Sequence, residues 1–231
     1  IAVGGVANAI PASGDYELGI YSFNGSVLSS VFTWSTKDRG VDVSKNAMDW
    51  SESGSYLAVG MTSGTEWELI LGYFDETSFT VTVSSDIGQT VNAVDFSPTD
   101  SMIAVGLNGG TERLRCYYHD FNSGTLAEET SARVGETDSV LSVDWNNDYT
   151  KLAVGTTSAL KIYSFDITGT TLSLDSTISL GSNVNSVRWD STGTYIVVGD
   201  GGNNVSVYKL LEGVLLLSDL RLFLKGDLDI R

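Results

Sequence analysis

Residues 94–106 read Val-Asp-Phe-Ser-Pro-Thr-Asp-Ser-Met-Ile-Ala-Val-Gly, and this stretch decides the fold. Two apolar segments flank a polar turn of Ser, Pro, Thr and Asp, so the stretch predicts two antiparallel strands. Its closing triplet returns along the whole chain, as Ala2-Val3-Gly4, Ala58-Val59-Gly60, Ala104-Val105-Gly106, Ala153-Val154-Gly155 and Val197-Val198-Gly199. A recurrence about every 45–55 residues, with several short strands in each unit, is typical of propeller arrays.

The fourth repeat shows the whole unit. Strands are predicted at 140–145, 151–155 and 160–165, and a fourth at 171–180 alternates apolar and polar residues as a half-exposed outer strand does. The inner strands are more continuously apolar, as expected where neighbouring sheets cover both faces. The sequence therefore predicts an all-β fold, a β-propeller of four-stranded antiparallel blades with about five in this chain. One domain is expected over 1–231, with repeats at about 1–40, 41–89, 90–138, 139–182 and 183–231.

The stretches 94–106 and 187–199 resemble the first two strands of WD-repeat β-propellers, the WD40-like repeat family. The likeness covers nearly the whole chain. The Trp-Asp pair that usually ends the third strand is replaced by Phe-Asn, Phe-Asp, His-Asp, Phe-Asp and Leu-Leu, and the Gly-His pair is absent. The resemblance therefore implies a divergent subgroup without the family's side-chain network of His, Asp, Ser and Trp. It also implies a protein that binds other proteins.

The two ends of the chain leave two architectures open. The first triplet has no predicted strand before it, and Leu228–Arg231 aligns with the start of a first strand at Asn185–Arg188. The last segment could complete the first blade and so close a five-bladed ring. Alternatively, the chain is part of a larger propeller, since propellers have about 4–8 blades.

The composition of the chain disfavours nucleic acids and membranes as partners, but it does not indicate a function. The chain carries 13 Lys and Arg against 29 Asp and Glu, a net charge of −16, so it repels the phosphates of nucleic acids. No apolar stretch approaches the ~20 residues that span a membrane, so no membrane insertion is expected. Partner proteins, or copies of the chain itself, are the expected partners.

No pattern in the sequence predicts catalysis, a metal site or a cofactor. His119 stands where other repeats have Phe or Leu, and Cys116 aligns with aliphatic residues, so both are predicted to pack in the core. Asp49, Asp95 and Asp144 recur at one repeat position, which predicts a repeated structural hydrogen bond. Four recurring aromatic residues are predicted to pack between blades: Trp50, Phe96, Trp145 and Trp189. The sequence therefore predicts that the chain is not an enzyme.

Binding is predicted in the loops that join second and third strands and in those that join successive blades, which would share one rim. Trp67, in the first of these loop sets, is expected to be an exposed contact residue. The candidate binding residues are Lys37, Arg39, Glu66, Trp67, Glu112, Arg113, Asp200 and Asn203. The leading functional hypothesis is a protein-interaction or assembly scaffold that acts through these rim loops.

Two other hypotheses stay open. Asn24-Gly25-Ser26 and Asn204-Val205-Ser206 are N-glycosylation sequons, so Asn24 and Asn204 are candidate glycan sites. Together with the low Lys and Arg content, they slightly favour an extracellular or cell-surface structural component over a cytoplasmic protein. The further alternative is a propeller lectin or hydrolase, because several propellers place carboxylates or metals at the central channel.

Overall fold

The computed structural model describes residues 2–4, 18–34, 43–64, 67–120, 123, 125–211 and 214–217. Over these residues the chain forms nineteen strands in five antiparallel sheets, and none of the described residues lies in a helix. Four sheets have four strands and the first has three. The prediction of an all-β propeller with about five blades is confirmed.

The sheets, called blades 1 to 5, each use consecutive strands. Blade 1 comprises β1 (Ala2–Gly4), β2 (Leu18–Phe23) and β3 (Leu28–Trp34). Blade 2 comprises β4 (Val43–Trp50), β5 (Tyr56–Met61), β6 (Leu69–Phe74) and β7 (Phe79–Ser85). Blade 3 comprises β8 (Val91–Phe96), β9 (Met102–Leu107), β10 (Leu114–Asp120) and β11 (Thr125–Val134). Blade 4 comprises β12 (Val140–Trp145), β13 (Lys151–Thr156), β14 (Ala159–Asp166) and β15 (Thr171–Ser179), and blade 5 comprises β16 (Val184–Trp189), β17 (Tyr195–Asp200), β18 (Val205–Leu211) and β19 (Val214–Leu217).

One register recurs in every blade and makes positions comparable between them. The glycine that closes the repeated triplet lies opposite an apolar residue at the first or second position of the third strand. The pairs in blades 2 to 5 are Gly60 with Leu69, Gly106 with Leu114, Gly155 with Leu160, and Gly199 with Val205. Equivalent positions can therefore be compared for burial and contacts.

The turn between first and second strands closes on a residue of positive φ. Glycine supplies it in blades 2 and 5, at Gly54 (φ 70°) and Gly193 (φ 67°). Asp100 (φ 60°) and Tyr149 (φ 62°) take the same place in blades 3 and 4. Asp100 accepts the backbone N–H of Ser53 in blade 2 at 3.0 Å, so its side chain joins two blades.

Apolar clusters join each consecutive pair of blades. Between blades 3 and 4, for example, Ala104 and Leu114 pack in one cluster with Leu152 and Val154, and all four are fully buried. The first strands β4, β8, β12 and β16 lie side by side along the axis. This arrangement buries the inner strands on both faces and leaves the outer strands half exposed.

Some predictions fall on residues that the structure does not describe. Leu228–Arg231, which would complete a closing blade, lies outside the described residues, and the repeat bounds stay a prediction. No helix among the described residues is long and apolar enough to cross a membrane.

Candidate functional site

The first strands of blades 2 to 5 end around a cavity of about 600 Å³, called the channel cavity. Each first strand ends with an aspartate or arginine followed by an aromatic residue. These residues from the four blades meet at the cavity, because the first strands line the propeller axis. Five carboxylates belong to its wall: Asp49, Glu52, Asp95, Asp144 and Asp190. Four aromatic rings also line it: Trp50, Phe96, Trp145 and Trp189.

Three of these carboxylates tie consecutive blades together. Asp49 accepts the backbone N–H of Phe96 at 2.8 Å, and Asp95 accepts that of Trp145 at 2.7 Å. Asp144 accepts the N–H of Trp189 at 2.5 Å. In each case a carboxylate at the end of one first strand binds the backbone at the end of the next. The predicted repeated hydrogen bond is confirmed.

Arg188 takes the aspartate position in blade 5 and faces two of the carboxylates. Its Nη1 lies 2.5 Å from Oδ1 of Asp144 and 3.6 Å from Oδ1 of Asp95. A guanidinium at this position partly neutralises a cluster that would otherwise hold only negative charge. The carboxylates nevertheless outnumber it at the cavity wall.

Burial makes these carboxyl groups weaker acids than usual. It raises the pKa of Asp49 to about 6, against the opposing effects of its hydrogen bond to Phe96 and the charge of Arg188. Burial also raises the pKa of Asp95 well above its ordinary value, and the negative charges of Asp49 and Asp144 raise it further. The pKa of Asp144 is raised by burial despite the opposing charge of Arg188. Asp49 can therefore exchange protons closer to neutral pH than an exposed aspartate does.

The recurring aromatic residues pack between blades, as predicted, but not all are enclosed. Phe96 and Trp145 are buried, while Trp50 and Trp189 are half-buried at the cavity wall. Trp189 donates from Nε1 to the carbonyl oxygen of Asp144 at 3.1 Å. The rings therefore combine a packing role with an apolar surface beside the carboxylates.

His119 and Cys116 both lie in the core, as predicted. His119 is buried and packs edge-on against Tyr56, with ring centroids 4.5 Å apart. Burial lowers the pKa of His119, and burial raises the pKa of the Cys116 thiol. No group of three His, Cys, Asp or Glu residues in the described part of the chain is arranged to hold a metal ion.

The two loop sets share one rim, as the sequence predicts. Ser63, after the second strand of blade 2, donates its N–H to Oγ1 of Thr90 in the loop leading to blade 3, at 2.9 Å. Asn108 donates its N–H to the Thr90 carbonyl at 3.0 Å, and Ser139 donates its hydroxyl to the Asn108 carbonyl at 2.7 Å. Each loop is therefore fixed by its neighbour along the rim.

Several predicted binding residues of the rim have partners within the chain. Trp67 is half-buried against the apolar cluster between blades 1 and 2, rather than freely exposed as expected. Arg113 donates to the carbonyls of Gly110 and Thr137, and Glu112 pairs with Arg133 at 2.9 Å.

Asp200 accepts the N–H groups of Gly202 and Asn204 and so shapes a turn in which Asn203 is exposed with φ 63°. Lys37, Arg39 and Glu66 lie outside the described residues. The binding role of all eight rim candidates stays a prediction.

Both sequon asparagines lie in exposed turns. Asn24 accepts the N–H groups of Ser26 and Val27 with its side-chain oxygen, at 3.1 and 3.0 Å. Asn204 donates from Nδ2, the nitrogen that would carry a glycan, to both carboxylate oxygens of Asp200 at 3.1 Å. Glycosylation of Asn204 would leave Nδ2 a single N–H to donate to Asp200, whereas Asn24 has only its oxygen engaged in these bonds.

The channel cavity was not predicted, because the aspartates and the aromatic residues each have a separate structural explanation within the repeat. The available signal was their adjacency in three repeats, as Asp49-Trp50, Asp95-Phe96 and Asp144-Trp145. In a propeller the ends of the first strands converge on the axis. Adjacent recurring residues at that position are therefore brought together in space.

Residues 171–209 match the family model for the WD domain, G-beta repeat. The matched stretch begins at the outer strand of blade 4 and continues through β16, β17 and most of β18. In structure the chain is similar to the β-propeller domain of Cps50 (Swd1) from Myceliophteria thermophila, with a TM-score of 0.65 and 12% identity over 84% of this chain and 63% of that one. The chain therefore has the fold of a β-propeller, and residues 171–209 match one WD repeat.

The chain is also similar in fold to two candidate 6-phosphogluconolactonases. The one from Bacteroides uniformis has 12% identity and a TM-score of 0.70, and the one from Bacteroides fragilis has 14% identity and a TM-score of 0.69. The matches cover 89% and 90% of this chain, but the chain spans only 65% of the length of each of those proteins. No protein with curated function matches the sequence.

These neighbours overturn the prediction that the chain is not an enzyme. Candidate enzymes share the fold of this chain, so the lack of a recognised catalytic motif does not exclude catalysis. The fold carries many functions, and the chemistry has to be judged at the site.

Proposed function

We propose that this propeller is a protein-interaction scaffold that binds a positively charged segment of a partner protein at the channel cavity. The observation that carries the proposal is the juxtaposition of five carboxylates with four aromatic rings in one cavity of about 600 Å³. A Lys or Arg side chain can pair with a carboxylate while its charge lies over an aromatic face. The cavity offers both contacts together.

The charge of the whole chain supports the same choice of partner. A net charge of −16 attracts basic segments over long range and raises their association rate at low salt. The polar groups of the rim loops bond from loop to loop, whereas Glu52 at the cavity wall is exposed. The channel cavity is therefore favoured over the rim as the binding surface.

Binding of an octa-arginine peptide, compared with an octa-glutamate peptide, tests the proposal. Glu52 is exposed at the cavity wall, so Glu52→Lys reverses a charge there without removing a bond between blades. Asp86→Lys, in the exposed loop between blades 2 and 3 on the rim, makes the same charge change elsewhere. We expect Glu52→Lys to weaken octa-arginine binding by about tenfold and Asp86→Lys by about twofold, because surface charges act mainly over short range.

Two results would contradict the cavity as the binding site. If both variants weaken binding equally, the peptide responds only to net charge. If Asp86→Lys has the larger effect, the rim loops are the binding surface, as the sequence analysis predicts. The salt dependence of the Kd of the unsubstituted chain shows how far charge drives binding.

Hydrolysis at the same cavity is a second candidate function. Asp49, with a pKa of about 6, can act as a general base near neutral pH, and candidate lactonases share the fold. The carboxylates of the wall repel a phosphorylated substrate, so an uncharged lactone or ester is the favoured substrate class. Glucono-δ-lactone is the first probe, because a rate above buffer that Asp49→Asn abolishes would support catalysis. A rate equal to that of buffer would exclude this substrate class.

A further inference from the structure

The chain contains two Asn-Gly pairs, Asn24-Gly25 and Asn108-Gly109. An asparagine that precedes glycine is open to attack on its side-chain amide by the backbone nitrogen of the glycine. The attack is easy because glycine has no β-carbon to shield that nitrogen and its backbone turns freely. The two pairs have the same local sequence but different surroundings in the fold, so their reactivity should differ.

Asn24-Gly25 lies in the exposed turn between β2 and β3 of blade 1. Within the described part of the chain, the backbone of Asn24 bonds only inside this turn, by donating its N–H to the carbonyl of Val27 at 3.3 Å. Gly25 has a φ of 92°, and a β-carbon built there would meet no described atom within 4 Å. The turn can therefore open without disturbing the packing between blades.

Asn108-Gly109 lies on the rim and is held by the loops on either side. The N–H of Asn108 donates to the carbonyl of Thr90 at 3.0 Å, and its carbonyl accepts the hydroxyl of Ser139 at 2.7 Å. A β-carbon at Gly109 would overlap the side chain of Gln89, so that side chain lies against the glycine. Rotation of this backbone therefore requires bonds between neighbouring loops to break.

The equivalent turns of blades 2 and 4 carry an aspartate where blade 1 has Asn24. Asp75 accepts the N–H groups of the second and third residues after it, at 2.9 and 2.7 Å. Asp166 accepts the N–H of the second residue after it at 2.9 Å. Asn24 makes the blade 2 pattern with its amide oxygen, at 3.1 and 3.0 Å. Because a carboxylate is a stronger acceptor than an amide, an aspartate at position 24 would strengthen both bonds.

We propose that Asn24 is a site of spontaneous modification, at which the folded chain loses the side-chain amide and gains a carboxylate. The deprotonated backbone nitrogen of Gly25 attacks Cγ of Asn24, a bond between the two atoms forms, and Nδ2 leaves as ammonia. Water then opens the resulting succinimide. Attack of water at Cγ gives aspartate, whereas attack at the backbone carbonyl gives isoaspartate.

The hydrogen bonds of the turn favour aspartate over isoaspartate. Isoaspartate lengthens the main chain by one carbon, so its carboxylate is displaced from the two N–H groups that Asn24 binds. Aspartate keeps the main chain unchanged and reproduces the turn that Asp75 makes in blade 2. The product in the folded chain therefore gives blade 1 the carboxylate that blades 2 and 4 already have.

The modification and a glycan at Asn24 exclude each other, because both use Nδ2. A glycan on Nδ2 would block its departure as ammonia, and conversion to aspartate removes the sequon Asn24-Gly25-Ser26. The inference applies to the chain without a glycan at Asn24. It does not depend on the function of the channel cavity.

Incubation of the unglycosylated 231-residue chain at mildly alkaline pH tests the proposal, because deprotonation of the glycine nitrogen starts the reaction. Samples taken over time are digested at acid pH, and mass spectrometry measures the loss of amide at Asn24 and at Asn108. The chain unfolded in urea gives the reference rates, since both Asn-Gly pairs are then exposed. Electron-transfer fragmentation separates aspartate from isoaspartate.

In the folded chain we expect Asn24 to react at least about tenfold faster than Asn108, whereas in urea the two rates should agree within about twofold. The share of aspartate at position 24 should be larger in the folded chain than in urea. Equal rates in the folded chain, or a faster reaction at Asn108, would overturn the proposal. An Asn24 that reacts in urea but stays intact in the folded chain would overturn it too.

Two variants check the site and its product. Asn24→Gln should abolish the reaction at position 24 and leave that at Asn108 unchanged, because the longer side chain closes a ring more slowly. Asn24→Asp carries the product from the start and should have a urea midpoint at least as high as that of the parent, since the carboxylate keeps both turn bonds. A lower midpoint would show that the turn does not accommodate the aspartate.

Discussion

Asp95 accepts the backbone N–H of Trp145 at 2.7 Å and so joins the end of the first strand of blade 3 to that of blade 4. Asp49 and Asp144 make the same bond one blade earlier and one blade later. A polar link thus recurs along the axis of this β-propeller. Arg188 ends the series and partly balances the charge that the three carboxylates bring together.

Replacing Asp95 separates the hydrogen bond from the charge. Asp95→Ala leaves the N–H of Trp145 buried without its acceptor, so the free energy of unfolding should fall by about 1–3 kcal/mol at pH 7. Asp95→Asn keeps an acceptor oxygen and removes a group whose ionisation is opposed by burial and by the negative charges of Asp49 and Asp144. This variant should be at least as stable as the parent in urea unfolding. Equal destabilisation by both substitutions would show that the charge, rather than the hydrogen bond, matters at this position.

The raised pKa values of the channel aspartates predict that stability increases as the pH falls from 8 to about 5. The folded pKa of Asp49, about 6, exceeds the unfolded value near 4, so the folded state binds more protons between these values. The stabilisation is complete below the unfolded pKa and is lost as the pH rises through the folded pKa. Urea unfolding at several pH values measures it, and Asp49→Asn should flatten the curve between pH 5 and 8. An unchanged curve would place the titrating group elsewhere.

Turn aspartates should reverse this trend in acid. Hydrogen bonds from Thr168 lower the pKa of Asp166, and hydrogen bonds from Asn204 lower that of Asp200. Groups with a lowered folded pKa stabilise the fold above their unfolded pKa and lose that effect as the pH falls. The stability maximum should therefore lie at about pH 4–6. A maximum near pH 8 would contradict the assignment of both groups of aspartates.

The repeat made the strands predictable, because residue alternation and turn composition act locally. In blade 4 the predicted strands at 140–145, 151–155, 160–165 and 171–180 agree with β12 to β15 within two residues at each end. Sequence alignment of the repeats also placed His119 at a packing position. The reason is that a propeller places the same repeat position in the same environment in each blade.

The channel cavity was not predicted, because it depends on how blades converge rather than on any one blade. Asp144 and Asp95 both lie within 4 Å of Arg188 although the three residues belong to three different repeats. The half-buried state of Trp67 was missed for a similar reason, since its cover comes from the cluster between blades 1 and 2. Contacts between repeats require the three-dimensional arrangement, whereas contacts within a repeat follow from its pattern.

Glycine at the end of the second strand should be essential only where a blade covers it. A β-carbon at Gly155 would lie 2.6 Å from the carbonyl oxygen of Val184, so Gly155→Ala should destabilise the 231-residue chain by about 2 kcal/mol or more. Gly199→Ala, the matched change in blade 5, meets only Ser186 and should change stability by less than about 0.5 kcal/mol. Thermal melting of both variants checks the contrast. Equal melting temperatures would show that the register assigned to the two blades is wrong.

Asp100 combines backbone strain with a link between blades, and three substitutions separate the two effects. Its φ of 60° is costly for most residues, yet its carboxylate accepts the N–H groups of Glu52 and Ser53 in the preceding blade. Asp100→Asn keeps an acceptor and tolerates positive φ, so it should be the mildest change. Asp100→Gly relieves the strain but loses both bonds, and Asp100→Ala loses both bonds while keeping the strain. Urea unfolding should give free energies of unfolding that decrease in the order Asn, Gly, Ala. The value for the Ala variant should lie about 2–4 kcal/mol below that of the parent. An Ala variant as stable as the Gly variant would show that the positive φ costs little in this turn, leaving the two hydrogen bonds to account for the aspartate.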